Sequence, residues 1–159
     1  MTPIDAASFR YVLGRFPSGV TVVTVRGADG RDYGMTVSAF ASVSLDPPLV
    51  LVCIGDDATI AGEVAAAGHM AVSILAEDQE QIARRFAERD SDRFAGTEIS
   101  RGLKGLALID GAVAQLECAI VARHRGGDHT IIVGEVLAAR AVEDGHPLVH
   151  QRGEYRRLQ

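Results

Sequence analysis

The sequence contains no tryptophan, and only 5% of its residues are aromatic. Cysteine is scarce as well, since Cys53 and Cys118 are the only two and both lie in apolar stretches, VLVCI and LECAI. Such surroundings predict two small, reduced core residues rather than a disulfide or a redox pair. The five histidines are scattered, without the spacing that metal ligands show. We therefore expect no metal site.

Long runs of positive charge or of apolar residues are missing too. The chain has 16 basic and 21 acidic residues and a net charge of −5, which makes nucleic acid and anionic membranes poor partners. No apolar stretch approaches the roughly 20 residues of a membrane helix, and the N-terminus lacks the apolar core of a secretory signal. These features predict a cytoplasmic protein. A length of 159 residues with 47% hydrophobic residues predicts one domain over residues 1–159.

Most of the sequence consists of short strand-like segments joined by turns. Helical spacing of apolar residues predicts three helices, at 5–16 with Asp5 as N-cap, at 57–67 with Asp57 as N-cap, and at 78–89 with Ile82, Ala83 and Phe86 on its buried face. Apolar or alternating runs predict strands at 20–26, 33–43, 49–54, 70–75, 113–123 and 130–142, with one or two more in 147–158. The run at 49–54 is continuously apolar, which predicts a strand buried on both faces. The short turns favour antiparallel pairing. The pattern indicates a mainly β protein, a small closed or partly open barrel with helices packed outside.

One segment, residues 34–50, has an unusual arrangement of hydroxyl side chains. Apolar residues alternate with Thr36, Ser38, Ser42 and Ser44 until the segment stops at a pair of prolines. Small side chains leave the backbone amides accessible, so a flat ligand laid along this strand would meet amides and hydroxyls. A strand face that is merely solvated would show the same alternation, and the segment alone leaves both interpretations open.

Four segments in order resemble one family. They are FPSGVTVVT at 16–24, the segment 34–48, GDHTIIVGEV at 127–136, and the stretch from Pro147 to Tyr155. Together they resemble the flavin reductase-like domain family, nearly end to end. The resemblance implies a six-stranded antiparallel split β-barrel with Greek-key connections, of the FMN-binding type. It also implies similarity to the reductase components of two-component flavin-dependent monooxygenases.

The resemblance implies an NAD(P)H:flavin oxidoreductase. Such a protein transfers hydride from NADH or NADPH to FMN or FAD and supplies reduced flavin to a partner monooxygenase. It implies a homodimer with flavin held near the subunit interface. The choice between FMN and FAD, the choice between NADH and NADPH, and whether the flavin stays bound or diffuses away are left open by the sequence.

The resemblance also assigns cofactor contacts to particular residues. It places the flavin ring and ribityl chain against the segment 34–48, which we call the signature segment, and in particular against Thr36, Val37, Ser38, Ala39, Ser42, Val43 and Ser44. Thr59 lies near the start of the second predicted helix, where free amides suit a phosphate. Two neighbouring carboxylates, Asp56 and Asp57, are poor phosphate neighbours, and we interpret them as structural.

Three further residues have two interpretations each. Arg84 either reaches the flavin phosphate or lies on a solvated helix face with Glu80 four residues away. His129 follows a Gly-Gly-Asp turn and, by the resemblance, lies near the nicotinamide and flavin rings as the catalytic residue. Tyr155 either covers the pocket or is a core aromatic.

Other functions of related folds remain alternatives. A flavin-binding carrier or storage protein would hold the cofactor with little NAD(P)H turnover. A reductase or oxidase of a corrinoid or of pyridoxamine phosphate is a third possibility, although the closing segment lacks the clustered basic residues that a phosphorylated amine favours.

Overall fold

The computed structural model describes residues 3–89 and 91–158. Three helices are present, α1 (Ala6–Leu13), α2 (Ala61–Ala66) and α3 (Glu80–Ala87), with a 3-10 turn at Leu103–Gly105. The strands are β1 (Ser18–Gly19), β2 (Thr21–Arg26), β3 (Asp32–Val37), β4 (Phe40–Leu45), β5 (Pro48–Gly55), β6 (His69–Ile74), β7 (Ile99–Arg101), β8 (Ala107–Ile109), β9 (Ala114–Gly126), β10 (His129–Ala141), β11 (Val149–Gln151) and β12 (Glu154–Arg156).

One sheet of seven strands carries the fold, in the order β3-β2-β6-β9-β10-β5-β4. Every pairing in it is antiparallel, as the short turns predicted. Two small sheets accompany it, β1-β11-β12 and β7-β8. The mainly β class is thus confirmed, while the expected number of six barrel strands was one too low.

The signature segment is two strands rather than one, and this break closes the sheet. β3 and β4 lie at opposite edges of the seven-stranded sheet, yet only Ser38 and Ala39 separate them in sequence. In a flat sheet those edges would be about 29 Å apart, whereas three Cα–Cα steps span at most about 11 Å. The sheet must therefore curl until its edges meet. The Cys53 amide donates to the Ala39 carbonyl at 3.0 Å and joins the link to β5.

The barrel interior is filled by aliphatic side chains from five central strands. The buried cluster includes Val23, Val52, Met70, Cys118 and Ile132. Burial raises the pKa of the Cys118 thiol to about 11, so this cysteine stays protonated, in keeping with its predicted core role.

The strand β5 differs from its prediction. Its apolar run suggested burial on both faces, but the structure alternates, with Val50, Val52 and Ile54 buried and Leu49, Leu51 and Cys53 only half-buried. The sequence of β5 is apolar at every position because both faces of the strand carry apolar side chains. Only the face with Val50, Val52 and Ile54 packs into the barrel core of this chain.

Two of the three helices follow their predicted patterns. The Asp5 carboxylate caps α1 by accepting from the Ser8 amide at 2.8 Å. No residue of α1 is buried, however, and its apolar side chains face outward. In α3, Ala83 and Phe86 are fully buried, as their spacing predicted.

The second helix begins later than predicted. α2 starts at Ala61 without a side-chain cap, so Asp57 is not its N-cap. The Asp57 carboxylate instead forms an ion pair with Arg89 at 3.0 Å. The prediction assumed that the Asp57 side chain accepts a hydrogen bond from a nearby backbone amide of the helix. In the structure the carboxylate binds Arg89, which is distant in sequence, instead.

No helix within residues 3–89 and 91–158 is both long enough and apolar enough to cross a membrane. The cytoplasmic location stays a prediction.

Candidate functional site

Two adjoining hollows form one groove beside the barrel. The first, of about 260 Å³, lies between β3, α3, the end of β5 and the start of β10, and Thr36, Phe86 and His129 line it. The second, of about 390 Å³, continues past Tyr33 and Phe94. Thr59, Arg89 and Arg93 line both hollows. We call the combined space the groove.

Thr36 joins the strand and helix that wall the groove. Its hydroxyl donates to the Ala83 carbonyl of α3 at 2.6 Å, which holds the helix against β3. The hydroxyl proton is used in this bond, but the oxygen keeps lone pairs that can accept from a ligand. Phe86 packs edge-on against Phe94, with ring centroids 5.0 Å apart, and adds an apolar wall.

His129 stands at one end of the groove, immediately after the tight turn at Gly127 and Asp128. Its Nδ1 donates to the Asp128 carboxylate at 2.8 Å, and this hydrogen bond lowers the pKa of Asp128. In the neutral ring, that tautomer leaves Nε2 as an acceptor. A methyl group on the paired residue Gly55 would lie 3.6 Å from Nε2, an ordinary van der Waals distance, so the ring lies directly beside this glycine. The imidazole is 48% exposed and accessible to a ligand.

Arg93 provides a positively charged group held in a definite orientation. Its Nη1 donates to the Gly34 carbonyl and its Nε to the Glu88 carbonyl, both at 2.7 Å. Partial burial lowers its pKa, but a guanidinium remains charged at neutral pH. Carbonyl partners are neutral, so these bonds orient the guanidinium without cancelling its charge.

Arg89 is held differently. Its Nη2 lies 3.0 Å from Oδ2 of Asp57, and the two side chains are 69% and 81% exposed. A carboxylate therefore offsets the charge of Arg89, in contrast to the carbonyl-bound Arg93.

The remaining residues of the signature segment lie along the seam of the barrel. Ser38 and Ala39 are exposed at the break between β3 and β4, whereas the Val37 side chain is buried in the core. Ser42, Val43 and Ser44 follow on the edge strand β4, where the register with β5 shifts. Of this predicted set, Thr36 lines the groove, together with Thr59 and His129.

Arg84 and Tyr155 contact each other and are not among the residues that line the groove. Arg84 pairs with Glu80 at 2.6 Å, and its guanidinium carbon lies 5.0 Å from the Tyr155 ring centroid. Tyr155 packs against the cluster that contains Phe86 and Leu148, and burial raises the pKa of its hydroxyl. Cofactor contacts of these two residues stay a prediction.

Sequence reasoning did not single out Arg89 and Arg93. Both follow α3 in a segment of mixed charge, ERDSDR, that has no regular period. Only the folded chain shows that they line the same groove as Thr36 and His129. No local signal would have separated them from solvated surface arginines.

The groove suits a planar ligand that carries phosphate. Guanidinium groups bind phosphate oxygens with charge-assisted hydrogen bonds, and hydroxyls and backbone amides can match the polar edge of a ring. Within the described parts of the chain, no three His, Cys, Asp or Glu side chains lie close enough together to hold a metal ion.

Residues 13–159 match the family model described as the flavin reductase like domain. The chain belongs to this family. The resemblance in the four sequence segments is thereby confirmed over nearly the whole length.

Individual relatives agree with this assignment. Among solved structures, the Streptomyces globisporus C-1027 NADH:FAD oxidoreductase SgcE6, in complex with NAD and FAD fragments, superposes with a TM-score of 0.94. It is 44% identical, and the match covers 100% of this chain and 96% of that one. The match confirms the predicted fold class.

Two curated relatives carry different names. The actinorhodin polyketide dimerase of Streptomyces coelicolor is 41% identical over 92% of this chain and 82% of its own length. The flavin-dependent monooxygenase reductase subunit HsaB of Rhodococcus jostii is 36% identical over 96% of this chain and 77% of its own length.

Proposed function

We propose that this protein is an NADH-dependent flavin reductase that supplies reduced flavin to a separate flavin-dependent monooxygenase. The observation that carries the proposal is the groove, which brings His129, two threonine hydroxyls and two arginines together. The proposal is supported by a fold shared with an oxidoreductase that holds NAD and FAD fragments. The monooxygenase partner is inferred from the relative named as a reductase subunit.

The residues act by binding and orienting rather than by acid–base chemistry. When bound, the flavin supplies the redox chemistry by accepting hydride from the nicotinamide. Thr36 and the exposed backbone at Ser38 and Ala39 bind the polar edge of the ring. The guanidinium of Arg93 binds the phosphate. Hydride transfer needs no general base, so the protein's main contribution is to hold the two rings in contact.

His129 orients the nicotinamide at the open end of the groove. Its hydrogen bond to Asp128 selects the ring tautomer and restrains ring rotation, so Nε2 offers an acceptor in a definite direction. Beyond Arg93, the hollow beside Tyr33 and Phe94 has room for the remainder of a dinucleotide, either NADH or FAD.

The protein is proposed to form a homodimer. Apolar side chains are unusually exposed on α1, just after α1 and on β4, with Phe16, which follows the helix, 77% exposed and Leu45 of β4 96% exposed. The set also includes Phe9, Val12, Leu13 and Val43. Such surfaces on one chain favour burial against a second copy.

Light scattering should give a solution mass near twice the 16.9 kDa of one chain, and a mass of 16.9 kDa at micromolar concentration would contradict the dimer.

The proposed activity predicts NADH oxidation that depends on added flavin. Purified protein, freed of bound flavin, is assayed with FMN, with FAD and with neither, and absorbance at the nicotinamide band is followed. A rate that saturates with flavin is the expected result. Copurified flavin without oxidation of NADH or NADPH would instead support the carrier alternative.

Replacing His129 should affect the rate more than flavin binding. His129→Ala removes the group that orients the nicotinamide, so we expect the single-turnover rate of flavin reduction to fall by about 10- to 100-fold. The flavin Kd should stay within about threefold, because the phosphate and ring contacts remain. His124→Ala, an exposed histidine on β9, is the matched control. Equal losses of rate and affinity, or no loss of either, would refute this role.

A further inference from the structure

The ion pair between Asp57 and Arg89 occupies the groove where the proposed function requires an anion to bind. Resting on that function, we propose that Asp57 competes with the phosphate of the ligand for Arg89. The carboxylate thereby lowers the affinity for phosphate-bearing flavin and favours its release. Asp57 is thus a residue that sets ligand affinity, distinct from those that hold the ring.

The geometry places this carboxylate inside the site. Asp57 lies in the loop between β5 and α2, and its partner Arg89 follows α3, 32 residues later. Both line the hollow that contains His129. A methyl group on Gly55 would be 3.1 Å from Oδ1 of Asp57 and 3.6 Å from Nε2 of His129, so both side chains flank the same glycine.

Within the described residues, the Asp57 carboxylate forms its side-chain hydrogen bond with Arg89 and with no other residue. It caps no helix, because α2 begins at Ala61. The neighbouring Asp56 has a structural contact, since its carboxylate accepts from the Thr130 hydroxyl at 3.1 Å and its amide donates to the Asp128 carbonyl at 3.0 Å. Only the first of the two adjacent acids therefore ties the loop to β10.

The electrostatics allow the pair to exchange partners. Exposed ion pairs contribute little to stability, since water and salt screen them. A phosphate carries about 1.5 to 2 negative charges and offers more acceptor oxygens than a carboxylate. A bound phosphate can therefore displace Asp57 from Arg89, but it must also overcome repulsion from the displaced carboxylate. Arg93 is bound to neutral carbonyls, and no carboxylate in the described part of the chain pairs with it.

The site therefore has two arginines that differ in availability. Arg93 can always bind phosphate, whereas Arg89 binds either phosphate or Asp57. A reductase that hands its product to another protein must release it, and product release often limits turnover. A competing carboxylate shortens the residence time of the phosphate-bearing flavin without altering the contacts to its ring.

The test compares FMN with riboflavin, which has the same ring but no phosphate. Flavin fluorescence titrations give the Kd of both ligands for the wild type and for Asp57→Asn. We expect Asp57→Asn to bind FMN about 3- to 10-fold more tightly. Riboflavin affinity should change by less than about twofold. Circular dichroism checks that the fold is unchanged.

Glu80→Gln is the matched control. Like Asp57→Asn, it removes one negative charge and one ion pair between a carboxylate and an arginine. Glu80 pairs with Arg84 at 2.6 Å, and neither residue lines the groove. It should leave both affinities unchanged.

Three outcomes overturn the proposal. If FMN affinity is unchanged in Asp57→Asn, or if riboflavin tightens equally, Asp57 does not compete with the phosphate. If Glu80→Gln tightens FMN instead, the phosphate binds at Arg84. Failure of the proposed function is distinguishable, because the wild type would then bind neither flavin, or would bind flavin without oxidising NADH or NADPH.

Discussion

The two-residue link between β3 and β4 is the constraint from which the rest of the architecture follows. It joins the opposite edges of a seven-stranded sheet, so the sheet closes around its aliphatic core and leaves a seam at Ser38 and Ala39. Closure brings the end of β3 near the end of β5 and the start of β10, although these elements are far apart in sequence. α3 then packs across β3, held in part by the hydrogen bond from Thr36 to Ala83. The groove is the space that remains between them.

Within this groove, the two arginines that follow α3 have different electrostatic surroundings. The guanidinium of Arg93 is bound to backbone carbonyls, which orient it and leave its charge available. The guanidinium of Arg89 is paired with a carboxylate from the opposite wall. At the other end, Asp128 orients the ring of His129. In the proposed function, this arrangement separates ring contacts at the seam, phosphate binding at the arginines and nicotinamide orientation at the histidine.

Features that depend on neighbours in sequence were predicted well from the sequence. The Asp5 cap of α1, the buried face of α3 and the turn at Gly127 and Asp128 are all local, and all are present. The break at Ser38 was missed because hydroxyl and apolar residues alternate on both sides of it, at 36–38 and 42–44, and the apolar residues 39–41 between them are also typical of a strand. The capping role of Asp57 was wrong because a tertiary ion pair replaced a local bond. The two groove arginines escaped prediction since irregular segments have no period, and their position is determined only when the barrel closes.

In the proposed function, the phosphate of the flavin binds to Arg93 in this groove. The most direct measurement is the affinity of Arg93→Gln for FMN and for riboflavin, with Arg85→Gln as control, since Arg85 also donates to a backbone carbonyl but lies outside the groove lining. Loss of a hydrogen bond between charged groups predicts FMN binding weaker by about tenfold or more, with riboflavin affinity unchanged and no effect in the control. Equal weakening of both ligands, or unchanged FMN affinity, would show that the phosphate does not bind to Arg93.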